Sequence, residues 1–294
     1  MLALTKITGL ILKVMLSLND LKFAIGLGVA GNFTGHLEQA GEARDFTNVQ
    51  VAELNSPKGI FPFYVPSQIG SFLEVFPLSS DAIAIANEDA NLQIEPEVAL
   101  ICKLTYEANK VRAIKPEYFA AYNDCSIRRP GAHKISHKKN WGRNSKGLSS
   151  KFIQIDKFTK GGVMDNYHIA SYLKRDGKFY TYGIDSPVLG YSYFYEKLLN
   201  WIIEKVNNQQ DEGPLESIAT LLEQSKYPEY AVISIGATKY TELGETTFLK
   251  KGDEIYVVIY DSKAYKSEFL KELLLDEELY IQGKYISVLK QTVI

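Results

Sequence analysis

Glu95 and Glu97 flank Pro96 in the run Ile94-Glu95-Pro96-Glu97-Val98-Ala99-Leu100. On a strand, alternate residues share a face, so the two glutamates project together while Ile94, Val98 and Leu100 point the other way. Like charges side by side repel, and burying them without a cation is costly. The cations that suit hard carboxylate oxygens are magnesium, manganese or calcium rather than zinc or copper. The plainer reading is a solvated strand face. Pro96 has no amide to give a ladder and fits an edge or a strand start. Asp124 follows in Tyr122-Asn123-Asp124-Cys125-Ser126-Ile127-Arg128, at the end of an apolar stretch and sharing a face with Ser126 and Arg128. A third carboxylate would complete a facial set and leave positions open to water and substrate. An Asn-Asp turn is the alternative.

From Arg128 to Lys151 the chain carries Arg128, Arg129, Lys134, Lys138, Lys139, Arg143, Lys146 and Lys151 with no acidic residue between them. Nucleic-acid sites interleave more aromatic residues in a more basic chain. The net charge here is −2, so neither nucleic acid nor an acidic membrane is an expected partner. A loop that holds a carboxylate substrate over a metal fits the run, as does a merely solvated basic loop. His133 and His137 have helical ligand spacing but no third ligand near them, and are read as loop histidines. Gly26, Gly28 and Gly31 have dinucleotide-fingerprint spacing, but that motif needs a helix opening at the third glycine. A strand ending in a glycine turn is the better reading.

The elements that must position these residues are mostly strands. Expected strands include Phe23 to Val29 in its first half, Ile83 to Ile85, Ile94 to Leu104, Tyr118 to Ser126, Phe152 to Ile155, Ala231 to Ile235, Ile255 to Tyr260 and Tyr285 to Leu289. Asp176-Gly177 between Ile169–Leu173 and Lys178–Tyr182 is a two-residue hairpin signal. Leu54 to Phe76 reads as a proline- and aromatic-rich traverse. Helices are expected at His36 to Ala40, at Tyr193 to Val206, from Pro214 to about Gln224 and at Lys266 to Leu274. With 294 residues, 46% of them hydrophobic, the chain can build one large core. Strands outnumber helices, which predicts an α+β, β-rich domain over residues 21–294. Residues 1–20 form a separate apolar segment broken by Lys6 and Lys13, either a docked helix or an upstream extension. This segment suits neither a membrane span nor a signal peptide. Cys102 and Cys125 are expected to be reduced core thiols in a cytoplasmic protein.

Taken together, these segments resemble the fumarylacetoacetate hydrolase family, over roughly Phe23 to Asp261. Gly31-Asn32-Phe33-Thr34-Gly35-His36 is similar to its Asn-Tyr-x-x-His opening, and Glu95-Pro96-Glu97 to its Glu-x-Glu metal pair. Asn123 to Arg128 is similar to Asn-Asp-x-Ser-x-Arg, and Lys146-Gly147 to the lysine after a tryptophan-containing loop. Ile233 to Thr238 resembles the Thr-Gly-Thr-Pro stretch, and Leu249 to Val257 the Pro-Gly-Asp strand. The resemblance implies a mixed β-sandwich roll with a few peripheral helices, assembled as a homodimer. It implies Mg2+ or Mn2+, with Ca2+ able to stand in, on Glu95, Glu97 and Asp124. It makes His36 and Lys146 catalytic, and Arg128, Gln39, Ser150 and Thr238 substrate-binding.

The implied activity is metal-dependent hydrolysis of a carbon–carbon bond, or decarboxylation through a metal-held enolate, in a small oxo or diketo acid. A keto–enol tautomerase and a catalytically weak ligand-binding protein are the alternatives. Departures from the family pattern fall in the substrate shell. Gln39 stands where active hydrolases carry glutamate, Glu38 points away from His36, and Glu42 is no better placed. Gly131, Ile235 and Ala237 replace a glutamine and two threonines. With Gln39 as the partner of His36, decarboxylation or tautomerisation is expected to exceed hydrolysis, and Gln39→Glu to raise the hydrolytic rate.

Overall fold

The computed structural model describes residues 16–46, 53, 55–87, 90–129 and 132–294. The expectations for residues 1–15 and for Gly131 lie outside them. Among the described residues fifteen strands run in chain order: β1 Ile25–Ala30, β2 Gly59–Tyr64, β3 Leu78–Ser79, β4 Ala82–Ile83, β5 Leu92–Gln93, β6 Pro96–Glu107, β7 Lys110–Asn123, β8 Ser126–Ile127, β9 Lys146–Leu148, β10 Ile153–Gln154, β11 Tyr167–Arg175, β12 Lys178–Pro187, β13 Tyr230–Ser234, β14 Glu254–Asp261 and β15 Ile286–Val293. The α-helices are short except one: α1 His36–Gln39, α2 Tyr195–Asn208, α3 Ile218–Gln224, α4 Glu242–Thr246, α5 Leu270–Leu273 and α6 Glu277–Gln282.

One sheet has the order β2-β1-β13-β6-β7-β9-β3 with β10 added to β7, and the other the order β12-β11-β14-β15-β4. β5 and β8 pair separately. Most pairings are antiparallel, with β1–β13, β3–β9 and β4–β15 parallel. The two large sheets share one core, in which Val98, Leu100 and Phe119 of the first meet Ile169, Val257 and Leu289 of the second. Burying each such side chain contributes about 1.5–3 kcal/mol. Register shifts in the long β6–β7 pair, after Ile101 and after Thr105, bend it as bulges do and help the sheet to curl. This is the β-rich α+β roll that the sequence predicts.

The turn residues behave as their types require. Asp176 and Gly177 have φ of 51° and 75° and close the β11–β12 hairpin. Gly26 and Gly28 lie inside β1 rather than in a phosphate-cradling loop. A Cβ on either would stand 2.3 or 2.2 Å from the rings of Phe63 and Phe61. Only Gly31 turns, at φ 73°, and no helix opens there.

Helix α2 buries Leu198, Ile202 and Val206 along one stripe, as their spacing predicts. α3 starts later than expected. Ser217 accepts a hydrogen bond from the Thr220 amide and caps it, leaving Pro214 in the preceding turn. β2 occupies part of the stretch read as an irregular traverse. It is an edge strand, which is where Pro62 is tolerated, and Gln209 covers it by bonding both the amide and the carbonyl of Ile60 at 2.9 and 2.7 Å. Leu16 and Leu18 pack against the cluster around Phe63 and Tyr122. Cys102 and Cys125 are buried and unpaired, and burial pushes the Cys125 thiol up to about 12. Among the described residues no helix is long and apolar enough to cross a membrane.

Candidate metal centre

A single antiparallel pairing assembles the three carboxylates. In the β6–β7 register, Pro96 lies opposite Asn123 and Glu97 opposite Tyr122. One residue beyond, the Glu95 amide donates to Asn123 Oδ1 at 3.1 Å and the Asp124 amide donates to the Glu95 carbonyl at 3.0 Å. Asp124 is thereby held beside Glu95, and strand alternation puts Glu97 on the same face. One oxygen from each carboxylate lies within 4.8 Å of the others, and all three residues are buried. Pro96 is the first residue of its strand, so its missing amide is not needed there, and the solvated-face reading does not hold.

Four cations surround the cluster. Lys139 Nζ is 2.6 Å from Glu95 Oε2 and 2.5 Å from Asp124 Oδ2, and it donates to Ser126 Oγ at 2.6 Å. Lys146 Nζ is 3.2 Å from Asp124 Oδ1 and donates to the Cys125 carbonyl. The Arg128 fork is spent on protein groups: Nε on Gln93 at 2.6 Å, Nη1 on Glu42 at 2.8 Å, and Nη2 on the Tyr240 hydroxyl at 2.9 Å and against Glu95 Oε1 at 2.5 Å. Arg128 therefore buttresses the site, with four of its five donors engaged by protein groups. Lys138 meets Glu42 at 2.9 Å. Glu95 Oε1 and Asp124 Oδ2 each have a cation against them.

Burial raises every carboxyl here, and the neighbours decide the outcome. Lys139 and Arg128 outweigh burial at Glu95 and hold it well below the usual range. At Glu97, burial together with Asp124 and Glu95 pushes the carboxyl well above it, although the Gly236 amide donates to Oε2 at 2.8 Å. Asp124 is raised by burial, against the pull of Lys139 and Lys146. Burial works against the Lys139 charge, but Asp124, Glu95 and Glu42 outweigh it and raise the ammonium above its ordinary value.

His36 is buried, its Nε2 4.0 Å from Glu95 Oε1 and its ring edge-on to Tyr240. Its Nδ1 has no hydrogen-bond partner, and burial lowers it to about 4, so the imidazole is neutral at neutral pH. Its acidic neighbours are Glu95 and Glu42. Helix spacing alone turns Glu42, six residues along, away from His36. α1 ends at Gln39, so that geometry does not apply, and Glu42 lines the same small cavity as His36 and the carboxylates. Gln39 does not partner His36. Its amide accepts from the Tyr240 N–H at 2.9 Å and donates to the Tyr240 carbonyl at 3.2 Å and to Glu245 at 3.3 Å. Gln39→Glu would therefore set a carboxylate against an acceptor and a second carboxylate. It is expected to lower stability by about 1 kcal/mol, seen as a lower urea midpoint at unchanged slope, without raising any hydrolytic rate. A variant as stable as the parent would contradict this placement.

Thr238 is buried, and both its amide and its hydroxyl point to the Pro96 carbonyl, at 3.1 and 3.4 Å. Ala237 lines the cavity beside the carboxylates. Ser150 is not brought to the cluster. It is exposed and lines a different groove with Leu16, Phe152 and Tyr280. His133 and His137 are exposed, and Asp253 is engaged by Arg175 through two bonds of 2.7 and 2.6 Å. Of the eight cations from Arg128 to Lys151, Arg128, Lys138, Lys139 and Lys146 turn inward and Arg129 and Arg143 stay exposed. The signal for the inward set was the absence of any acid in a run that adjoins three carboxylates.

A buried facial set of oxygens on a curled β roll defines the class. The fold is shared with solved fumarylacetoacetate hydrolase-family proteins. Cg1458, solved with an inhibitor, is 17% identical with TM-score 0.51, over 92% of this chain and 77% of its own. A Mycobacterium smegmatis protein provisionally assigned as HpcE is 14% identical with TM-score 0.52, over 92% and 74%. A 2-keto-3-deoxy-D-arabinonate dehydratase complexed with magnesium and 2,5-dioxopentanoate stands further off, at 14% identity and TM-score 0.48 over 92% and 72%. No curated protein matches the sequence. The chain belongs to the family of unknown function DUF5718, whose model matches residues 42–293.

Proposed function

We propose that this chain is a divalent-metal-dependent enzyme acting on a small oxo or diketo acid, by carbon–carbon hydrolysis or by decarboxylation. The observation that carries the reading is the buried convergence of Glu95, Glu97 and Asp124. A neutral imidazole stands beside them. Three hard, anionic oxygens in a closed site suit magnesium or manganese, with calcium a possible substitute. When bound, such an ion supplies Lewis-acid polarisation of a carbonyl.

The chain's own residues do the rest. His36, with Nδ1 unpartnered, is placed to take a proton from water or from a carbon next to the carbonyl. Glu95 and Glu42 supply the negative charge that a protonated imidazole needs, the part first sought at position 39. Lys146 steadies Asp124, and Arg128 fixes Glu95 and Glu42 together.

The test is a small panel of oxo acids incubated with the full chain in deuterated water, with magnesium or with a chelator. Exchange of the α-proton reports enolate formation, and product analysis separates hydrolysis, decarboxylation and tautomerisation. Magnesium-dependent exchange is expected, falling by about 10²–10⁴ in His36→Ala while ion binding persists. No exchange or turnover across the panel would favour a ligand-binding role on the same scaffold.

A further inference from the structure

Lys139 has no role of its own in the sequence reading, yet no other described side chain in the site touches two members of the carboxylate set so closely. Its ammonium is 2.6 Å from Glu95 Oε2 and 2.5 Å from Asp124 Oδ2. It also donates to Ser126 and lies 5.1 Å from the centre of the Phe61 ring. The residue is 3% exposed. A divalent ion held by these carboxylates would have to share Glu95 and Asp124 with the Lys139 ammonium. Even with Glu42, Glu95, Glu97 and Asp124 all ionised, they only match Arg128, Lys138, Lys139 and Lys146, so the cluster has no surplus negative charge. A divalent ion added to that arrangement brings excess positive charge into a buried site, where like charges interact strongly. Exchanging one ammonium for the ion removes part of the excess and leaves a site suited to an anionic acid. The cavity beside Lys139 measures only about 20 Å³, enough for about one water and too small for a substrate.

We infer that Lys139 is a tethered competitor for the divalent ion: its ammonium neutralises Glu95 and Asp124 in the metal-free protein and leaves them when the ion binds. This rests on the metal reading proposed above. It assigns the lysine a second consequence, since its departure is also what enlarges the cavity. Ion affinity is thus set partly by a residue that is not a ligand, and the metal-free chain is kept folded by an internal counter-charge.

The experiment is calorimetric titration of manganese into the full chain and into Lys139→Met and Lys139→Gln, with melting curves in chelator and in magnesium. Both variants should bind manganese at least about tenfold more tightly than the parent, the charge-neutralising competition being gone. Both should melt lower than the parent in chelator and recover in magnesium. A variant that is unfolded in chelator but folded with the ion supports the inference in the same way. Equal affinities in parent and variants would overturn the role of Lys139 while leaving the metal site standing. Failure of the variants to bind manganese, or to fold even in its presence, would overturn both.

Discussion

Replacing Arg128 by methionine is expected to destabilise the fold by about 3–5 kcal/mol, the cost of removing one partner from a buried ion pair. The guanidinium is 9% exposed and meets Glu42 and Glu95 at 2.8 and 2.5 Å, while Gln93 and the Tyr240 hydroxyl accept from it at 2.6 and 2.9 Å. Without it, two buried carboxylates lose a counter-charge, and two neutral groups lose partners that water cannot readily replace. Lys138 and Lys139 remain near Glu42 and Glu95, so the loss should not be total. Lysine at 128 keeps the charge but not the planar fork, and should fall between parent and methionine. The comparison is Arg112→Met, whose partner Glu107 lies 3.6 Å away on the surface and whose loss should leave the urea midpoint unchanged. A drop of less than about 1 kcal/mol for Arg128→Met would mean that the cluster is solvated rather than buried.

Glu95 and Glu97 are legible together because strand alternation joins them locally. Asp124 comes to them in the sequence only through the family resemblance, and the antiparallel pairing that brings all three together appears in the fold. The hairpin at Asp176-Gly177 and the apolar stripe of α2 are set by neighbours in the chain. The surroundings of the site were less legible because they depend on contacts made far along the sequence. Gln39 looked like a partner of His36 from position alone, but Tyr240, distant in sequence, takes its amide. Glu42 is out of reach of His36 only if the helix continues, and α1 stops at Gln39. The acid-free run Arg128 to Lys151 reads as a loop over the metal or as a solvated basic loop, and its spacing does not single out Lys139 as the lysine that turns onto two carboxylates. β2 was hidden by Pro62 and its aromatic neighbours, because an edge position excuses a proline that a central strand would exclude. The first turn of α3 was misplaced because Pro214 and the Ser217 cap are both valid start signals, and packing chose the second.

The claim on which the rest depends is that Glu95, Glu97 and Asp124 hold one divalent ion. Added magnesium should raise the melting temperature in a concentration-dependent way. An ion at a hundred times its dissociation constant contributes about 2.7 kcal/mol, and for a chain of this size that amounts to roughly 5 °C. Asp124 is the control because its carboxylate belongs to the set and its main chain is held by Glu95. Losing even an indirect support of a metal ligand costs about 10–100-fold in affinity, so removing a ligand should cost more. The most direct measurement is a manganese titration of the parent and of Asp124→Ala, followed by bound-metal analysis. One ion per parent chain, and none retained by Asp124→Ala under the same conditions, is the predicted result. Equal manganese on both proteins, or none on either together with identical melting curves in chelator and magnesium, would contradict it.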